Sequence, residues 1–189
     1  MSGPRARMFV ALDLPEAART ALAGWRDSLV AGRGDLRPVA PTALHVTLAF
    51  LAWQDESAAA QIAEAAFGAA AGLDAPVLTA TVVRPLPPRR PRLFALDLED
   101  EDSRTSQAQG AISDALEAAR VYRPEKRPFW PHVTLARVKR GARAEQLPDL
   151  APPGERFEAG ELTLYRSTLR PQGALYEPLA RAELGAPYR

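Results

Sequence analysis

The 189-residue sequence predicts an α+β fold made of two similar halves, and three observations support this prediction. Strand-like and helix-like segments follow the order βαβ αβ βαβ ββ, which favours antiparallel sheets over a doubly wound parallel sheet. Hydrophobic residues make up 47% and charged residues 25%, as in a globular domain. Phe9–Asp13 resembles Phe94–Asp97, and both segments are followed by a helical pattern and then by His-Val-Thr-Leu. The repeat predicts two lobes related by a pseudo-twofold axis, with sheets flanked by helices and a central cleft, in one domain covering residues 1–189.

The first half contains three predicted strands and two predicted helices. An apolar run ended by proline predicts the first strand, and apolar residues at helical spacing predict the helix after it. Alternating or β-branched runs predict the other two strands, and an alanine-rich stretch predicts the second helix. In chain order, these elements are strand Arg7–Leu14, helix Pro15–Ala31, strand Leu44–Leu51, helix Ser57–Ala71 and strand Val77–Val83.

The second half contains four predicted strands and one helix, which Ser103 is expected to cap at its N-terminus. Proline-rich stretches predict two long loops, and alternating patterns predict a closing hairpin across a turn at residues 170–173. In chain order, these elements are loop Arg84–Arg92, strand Leu93–Leu98, helix Ser103–Ala119, loop Tyr122–Pro131, strand His132–Val138, and strands Phe157–Tyr165 and Ala174–Ala182.

Several function classes are excluded by what the sequence lacks. It contains no cysteine, which excludes a disulfide framework, a zinc ribbon, an iron–sulfur site and a cysteine nucleophile. It has no glycine-rich phosphate loop, which argues against a nucleotide-driven motor or a dinucleotide oxidoreductase. It also has no serine in a nucleophile elbow. The net charge is +1, so any basic binding surface must be local. The apolar run Met8–Leu12 ends at Asp13 and is too short for a signal or a membrane helix, so we expect a cytoplasmic protein without a membrane partner.

Both histidines of the chain lie in identical tetrapeptides, His45–Leu48 and His132–Leu135. On a strand, alternate side chains share a face, so each histidine lies beside its threonine and opposite the valine and leucine. The apolar pair is expected to anchor the strand in the core. If the two strands are symmetry mates, two imidazoles and two hydroxyls line one cleft.

Two imidazoles on opposite sides of a phosphorus atom can carry out in-line hydrolysis without a metal. One takes a proton from water and the other protonates the leaving oxygen, while the threonine hydroxyls donate hydrogen bonds to the non-bridging oxygens. A single His-x-Thr strand would more often be structural. A metal site would need carboxylates nearby, and neither motif has one within three residues of its histidine. The sequence therefore predicts no metal and no cofactor.

The paired His-x-Thr-x motifs resemble the signature of the two-histidine phosphoesterase superfamily. Within it, the sequence is similar to the bacterial and archaeal RNA 2′,3′-cyclic phosphodiesterases, historically called 2′-5′ RNA ligases. The similarity extends nearly from end to end. Its segments are MFVALDLP at 8–15, LHVTLAFL at 44–51, RPRLFALDL at 90–98, RPFWPHVTLARV at 127–138, LTLYRSTL at 162–169 and GALYEPLA at 173–180.

The resemblance implies hydrolysis of a 2′,3′-cyclic phosphate on RNA to a 2′-phosphate. By analogy with the family, His45 is the proton donor to the leaving 3′ oxygen and His132 is the proton acceptor that activates water. Thr47 and Thr134 hold the phosphate. The expected partner is RNA with cyclic phosphate ends, tRNA fragments among them, and the expected state is a monomer.

Two further residues are carried over from the family pattern. Arg137 lies five residues after His132 and would bind the phosphate, although strict alternation places it on the wrong face, so a bulge or strand end is required. Phe50 lies five residues after His45 and is either a base-stacking platform or a core aromatic. The sequence departs from the family at residues 38–41, Pro-Val-Ala-Pro for Trp-Val-Pro-Pro, and at Ala52, which stands where the family often has glycine. Both departures bear on substrate size and base preference.

Three alternatives remain open from the sequence. The enzyme could act on small cyclic nucleotides or an ADP-ribose cyclic phosphate, the chain could be a non-catalytic module that binds RNA ends, and the enzyme could also run the reverse ligation. For Trp130 and Tyr165, core packing is the default expectation. Two basic patches could contact an RNA backbone or simply be solvated, and they comprise Arg84, Arg89, Arg90 and Arg92, and Arg123, Lys126 and Arg127.

Overall fold

Strands and helices alternate along the chain in the computed structural model, which describes residues 3–170 and 173–185. The strands are β1 Arg5–Asp13, β2 Leu36–Pro38, β3 His45–Asp55, β4 Val77–Leu86, β5 Leu93–Asp100, β6 His132–Val138, β7 Phe157–Glu158, β8 Glu161–Arg170 and β9 Gly173–Glu183. The helices are α1 Glu16–Leu29, α2 Ala59–Ala70 and α3 Arg104–Ala118. None of the helices in this described part of the chain is long and apolar enough to cross a membrane.

The strands form one curled antiparallel sheet in the order β7-β4-β5-β6-β3-β1-β8-β9, with β2 paired to β6. Its two halves meet between β3 and β6 at the residue pair Val46 and Val133. The fold is therefore α+β and has two lobes, as predicted, with the His-x-Thr strands side by side at the junction.

The two lobes repeat the same local geometry. On β1 and β3, Asp13 lies opposite His45, and on β5 and β6, Asp97 lies opposite His132. Each pairing is then interrupted at the leucine of its motif, because Leu48 and Leu135 have no partner in the register. Equivalent register and equivalent bulges support the internal repeat that the sequence predicts.

Helices α2 and α3 cover the buried face of the sheet. Helices α2 and α3 pack against each other, α3 contacts β3 and β5, and α2 contacts β8 and β9. On this side lie the valine and leucine of both motifs, together with the largest buried side chains, such as Phe67 and Ile112. Burying the alternate residues of each strand stabilises the sheet and orients the polar residues of the motifs away from the helices.

Two predicted element boundaries are wrong. The stretch Arg84–Arg92 is not all loop, because β4 continues to Leu86 by pairing with β5. Proline is tolerated there since β7 covers β4 only at Val77 and Leu78, which leaves the far part of β4 on the sheet edge. Phe157–Tyr165 is two strands rather than one, because the chain crosses at Ala159 and Gly160 from one end of the curled sheet to the other.

Helix α3 does not have the predicted cap. Ser103 adopts a left-handed φ of 57° and its side chain makes no capping hydrogen bond. Instead, the carboxylate of Asp100 accepts hydrogen bonds from the backbone N–H of Thr105 at 2.8 Å and of Ser106 at 2.9 Å. Strand β9 pairs with β8 as expected, although residues 171 and 172 of the predicted turn lie outside the described residues.

Candidate active site

The six candidate residues line two adjoining cavities that together form one groove. A cavity of about 330 Å³ is lined by His45, Thr47, Phe50, Thr134 and Arg137. A second cavity, of about 600 Å³, is lined by His132 and shares Thr47 and Phe50 with the first. The two histidines therefore lie on either side of a groove into which both threonines project.

The two bulges decide which side chains reach the groove after each motif. With Leu48 unpaired, Ala49 lies opposite Val10 and Phe50 opposite Phe9. With Leu135 unpaired, Ala136 lies opposite Phe94 and Arg137 opposite Leu93. Each bulge shifts the alternation by one residue, so Phe50 and Arg137 share the face of the histidine and threonine. This is the bulge that Arg137 was expected to require, and Phe50, 43% exposed, is not a core residue.

His45 is held by two hydrogen bonds and an aromatic enclosure. Its Nδ1 lies 2.9 Å from the carbonyl oxygen of Ala43, and its Nε2 lies 3.0 Å from the hydroxyl of Thr47. Because a carbonyl can only accept, Nδ1 carries the proton in the neutral ring and Nε2 accepts from the hydroxyl. Phe9 stacks on the imidazole at 4.9 Å between ring centroids, and Tyr176 meets it edge-on at 5.4 Å.

This enclosure lowers the pKa of His45 from 6.5 to about 4. Burial is the main cause, because it disfavours the cation, and the positive charges of His132 and Arg137 lower the pKa further. The hydrogen bond to the Ala43 carbonyl acts in the opposite direction. At neutral pH the His45 ring is therefore neutral in the free protein.

His132 has the same backbone contact but a different neighbour. Its Nδ1 donates to the carbonyl oxygen of Trp130 at 2.7 Å, two residues earlier, as in the first motif. The indole of Trp130 stacks on the imidazole with centroids 4.2 Å apart and planes 14° apart. Trp130 is thus a wall of the second cavity rather than a core residue.

Two carboxylates lie beside the histidines on the neighbouring strands, Asp13 opposite His45 and Asp97 opposite His132. Asp13 accepts hydrogen bonds from Thr163 at 2.7 Å and from the hydroxyl of Tyr165 at 2.9 Å. Burial and the Asp13 charge raise the pKa of Tyr165 to about 12, so this hydroxyl remains a donor. Tyr165 is buried, as expected by default. Asp97 is paired instead with Arg84, which ties this member of the first basic patch into the sheet.

Several residues that line the first cavity are not predicted from the sequence. Arg7 and Arg37 bring two further positive charges to the groove beside Arg137, and Tyr176 contributes a phenol ring. A signal for Arg7 was available, because Arg7, Phe9 and Ala11 alternate with buried Met8 and Val10 on β1. No signal marked Arg37, since its short strand follows a glycine-rich stretch. Of the basic patches, Arg127 lines the second cavity.

Three comparisons place the chain among known proteins. The sequence model of the 2′-5′ RNA ligase superfamily matches residues 14–170. The chain is 30% identical over 183 residues to the RNA 2′,3′-cyclic phosphodiesterase of Escherichia coli, covering 96% of this chain and 97% of that protein. It is 26% identical over 178 residues to the protein of the same name from Methanothermobacter thermautotrophicus, covering 91% and 95%.

Solved structures agree with the sequence comparisons. The crystal structure of TT0787 of Thermus thermophilus superimposes with a TM-score of 0.81 at 29% identity, covering 96% of this chain and 100% of that one. E. coli LigT complexed with 3′-AMP superimposes with a TM-score of 0.74 at 28% identity, covering 96% and 99%. The paired motifs, the two-lobed sheet and these matches lead to one conclusion: the chain belongs to the 2′-5′ RNA ligase superfamily, a family of two-histidine phosphoesterases.

Proposed function

We propose that this protein is a metal-independent RNA 2′,3′-cyclic phosphodiesterase that opens the cyclic phosphate to a 2′-phosphomonoester. The observation that carries the proposal is that two identical His-x-Thr motifs lie across one groove, which Arg137 also lines. The names of the relatives support the class of reaction. RNA with cyclic phosphate ends, such as tRNA fragments, is the proposed partner, and the protein acts as a monomer.

The reaction is an in-line displacement at phosphorus. Nε2 of His132 removes a proton from water as the water oxygen bonds to phosphorus, and the bond from phosphorus to O3′ breaks. Nε2 of His45 gives its proton to O3′, which leaves as the 3′-hydroxyl. The 2′-phosphate remains on the ribose. Both rings hold Nδ1–H on a backbone carbonyl, which directs Nε2 of each toward the groove.

The hydroxyls of Thr47 and Thr134 and the guanidinium of Arg137 bind the non-bridging oxygens. Negative charge increases on these oxygens in the transition state, where fixed donors in a partly enclosed groove stabilise it most. Phe50 supplies a face on which the terminal base stacks. Tyr165, hydrogen-bonded to Asp13, closes the enclosure behind His45.

A neutral His45 has to gain a proton before it can act as the acid. The cyclic phosphodiester carries a negative charge, and an opposite charge within a few ångströms raises the pKa of a histidine. Substrate binding therefore moves a proton onto the pair. The same groups can run ligation, the reverse of cleavage of a 2′-5′ linkage. A 5′-hydroxyl then attacks phosphorus in place of water and loses its proton to His132, while the bond from phosphorus to O3′ breaks and His45 protonates O3′. In dilute solution, water is the dominant nucleophile.

The test is to incubate the protein with EDTA and a short RNA ending in a 2′,3′-cyclic phosphate, and to identify the phosphate on the product. A 2′-phosphate is the expected result. A 3′-phosphate would contradict the direction of ring opening, and loss of activity in EDTA would contradict the metal-free mechanism. Tight binding without turnover would support the alternative of an RNA-end-binding module.

A parallel assay with nucleoside 2′,3′-cyclic phosphates and an ADP-ribose cyclic phosphate addresses the second alternative. Turnover of these small molecules that exceeds turnover of RNA would assign the protein to small cyclic phosphates. The double variant with both histidines changed to alanine is the matched control, because it should be inert on every substrate.

A further inference from the structure

An exposed indole that the proposed reaction does not use follows Phe50 on β3. Trp53 is 56% exposed, although a tryptophan is among the most apolar side chains in the protein. It lies three residues after Phe50 on β3. A tryptophan this exposed contributes little to the core, and its ring is available to a ligand.

Three observations place Trp53 on the face of the groove. Trp53 lies directly opposite Arg7 on β1, and residues directly opposite on antiparallel strands project to the same side. Arg7 itself lines the cavity of His45. The next residue, Gln54, points the other way, because its amide donates to the carbonyl oxygens of Leu51 at 2.6 Å and Val121 at 3.0 Å, next to the end of α3.

A second bulge on β3, at Leu51, produces this arrangement. Phe50 lies opposite Phe9 and Ala52 lies opposite Met8, so Leu51 is unpaired. Ala52 has a φ of 57°, in the left-handed region, where the family often has glycine. The bulge brings Trp53 back to the face of Phe50 only two strand steps away, about 7 Å. That is about twice the 3.4 Å spacing of stacked bases, so two bases on these two rings would be held apart.

A positive charge lies against the first ring and belongs to the residue opposite Trp53. The guanidinium of Arg7 is 5.2 Å from the centre of the Phe50 ring, and Arg7 lies across from Trp53. Two aromatic side chains with a cation beside them match two successive bases and the phosphate that joins them. Mononucleotides would reach only the first face.

We propose that Trp53 stacks the base of the penultimate nucleotide of the RNA, which makes this protein prefer oligonucleotides over nucleoside cyclic phosphates. The inference rests on the proposed function. It names the substrate class of the same site, with Phe50 under the terminal base, Arg7 on the linking phosphate and Trp53 under the next base.

The test uses two substrates that differ only in the penultimate base. One is a diribonucleotide ending in a 2′,3′-cyclic phosphate, and the other has an abasic ribose in place of the first nucleoside. Stacking on an aromatic side chain corresponds to a preference of roughly 5- to 100-fold in kcat/KM for the intact dinucleotide. In Trp53→Ala the preference is expected to fall to about one, and Trp53→Phe should retain most of it.

Val82→Ala is the matched control, because Val82 is an exposed apolar residue on β4 at 47% exposure. It should keep the wild-type preference. The inference would be overturned if Trp53→Ala lost activity equally on both substrates, or if the wild-type protein showed no preference for the intact dinucleotide. In either case, hydrolysis of the abasic substrate would still support the proposed function. Hydrolysis of neither substrate would overturn both.

Discussion

At the scale of single residues, two histidines in identical tetrapeptides have different surroundings. His45 lies against Phe9 and Tyr176, whereas His132 stacks on Trp130. The lowered pKa of His45 follows from burial among these rings and from the nearby positive charges. The surroundings make the two rings chemically distinct, even though the sequence around them is the same.

Removing either imidazole should slow turnover by roughly 10²- to 10⁴-fold, the usual range for a general acid or base. The two variants should differ on a substrate whose 3′ bridging oxygen is replaced by sulfur. A thiolate leaves without a proton because its pKa is lower than that of an alcohol, so His45→Ala should recover most of its loss while His132→Ala should not. If only His132→Ala recovered turnover on this substrate, His132 would be the proton donor and His45 the proton acceptor.

The pH dependence of kcat/KM should have its acid limb near pH 4. The active form holds one proton on the histidine pair, and a second proton is added only below the lowered pKa of His45, about 4. The value of kcat/KM should therefore fall about tenfold per pH unit below this point and not between pH 6.5 and 5. Circular dichroism at each pH controls for unfolding. An acid limb at pH 6.5, the ordinary histidine value, would contradict the enclosure of His45.

At the scale of elements, bulges decide which side chains reach the groove, and the turn before α3 decides which side chain caps it. The bulges at Leu48 and Leu135 bring Phe50 and Arg137 to the groove, and the end of β5 supplies the cap of α3 from Asp100. A bulge can be suspected from the sequence when a functional residue falls on the wrong face, as Arg137 did. A cap four residues before the helix begins is not recognisable, because the intervening left-handed residues Asp102 and Ser103 depend on the folded turn.

Asp100→Ala should lower the free energy of unfolding by about 1–2 kcal/mol, because two backbone N–H groups of α3 lose their acceptor. Ser103→Ala is the matched control and should change it by less than about 0.5 kcal/mol, since that side chain makes no capping hydrogen bond. Urea denaturation measures both values. Equal effects of the two substitutions would show that Asp100 does not cap the helix.

At the scale of the whole molecule, the two lobes share one core. Helix α3 contacts β3 of one lobe and β5 of the other, and the buried cluster includes Val10, Leu96 and Ile112. The sheet itself joins the lobes through Val46 and Val133. The shared core, rather than the strand pairing, is expected to couple the lobes.

Unfolding in urea should therefore give one transition, with tryptophan fluorescence and far-UV circular dichroism coinciding. Ile112→Ala should move this whole transition to lower urea, with a loss of about 2–5 kcal/mol, and should not split it. Leu150→Ala, on an exposed loop, is the control and should leave the midpoint nearly unchanged. Two separated transitions would mean that the lobes are independent domains.

The sequence by itself determined the α+β class, the order of the main strands and helices, the internal repeat and the pairing of His45, Thr47, His132 and Thr134. These follow from local periodicity and from an identical motif, and both are properties of neighbouring residues. Tertiary structure decided the rest. The bulges, the unequal histidines and the addition of Arg7 and Arg37 to the groove depend on which distant strands lie side by side. Local sequence does not encode that proximity.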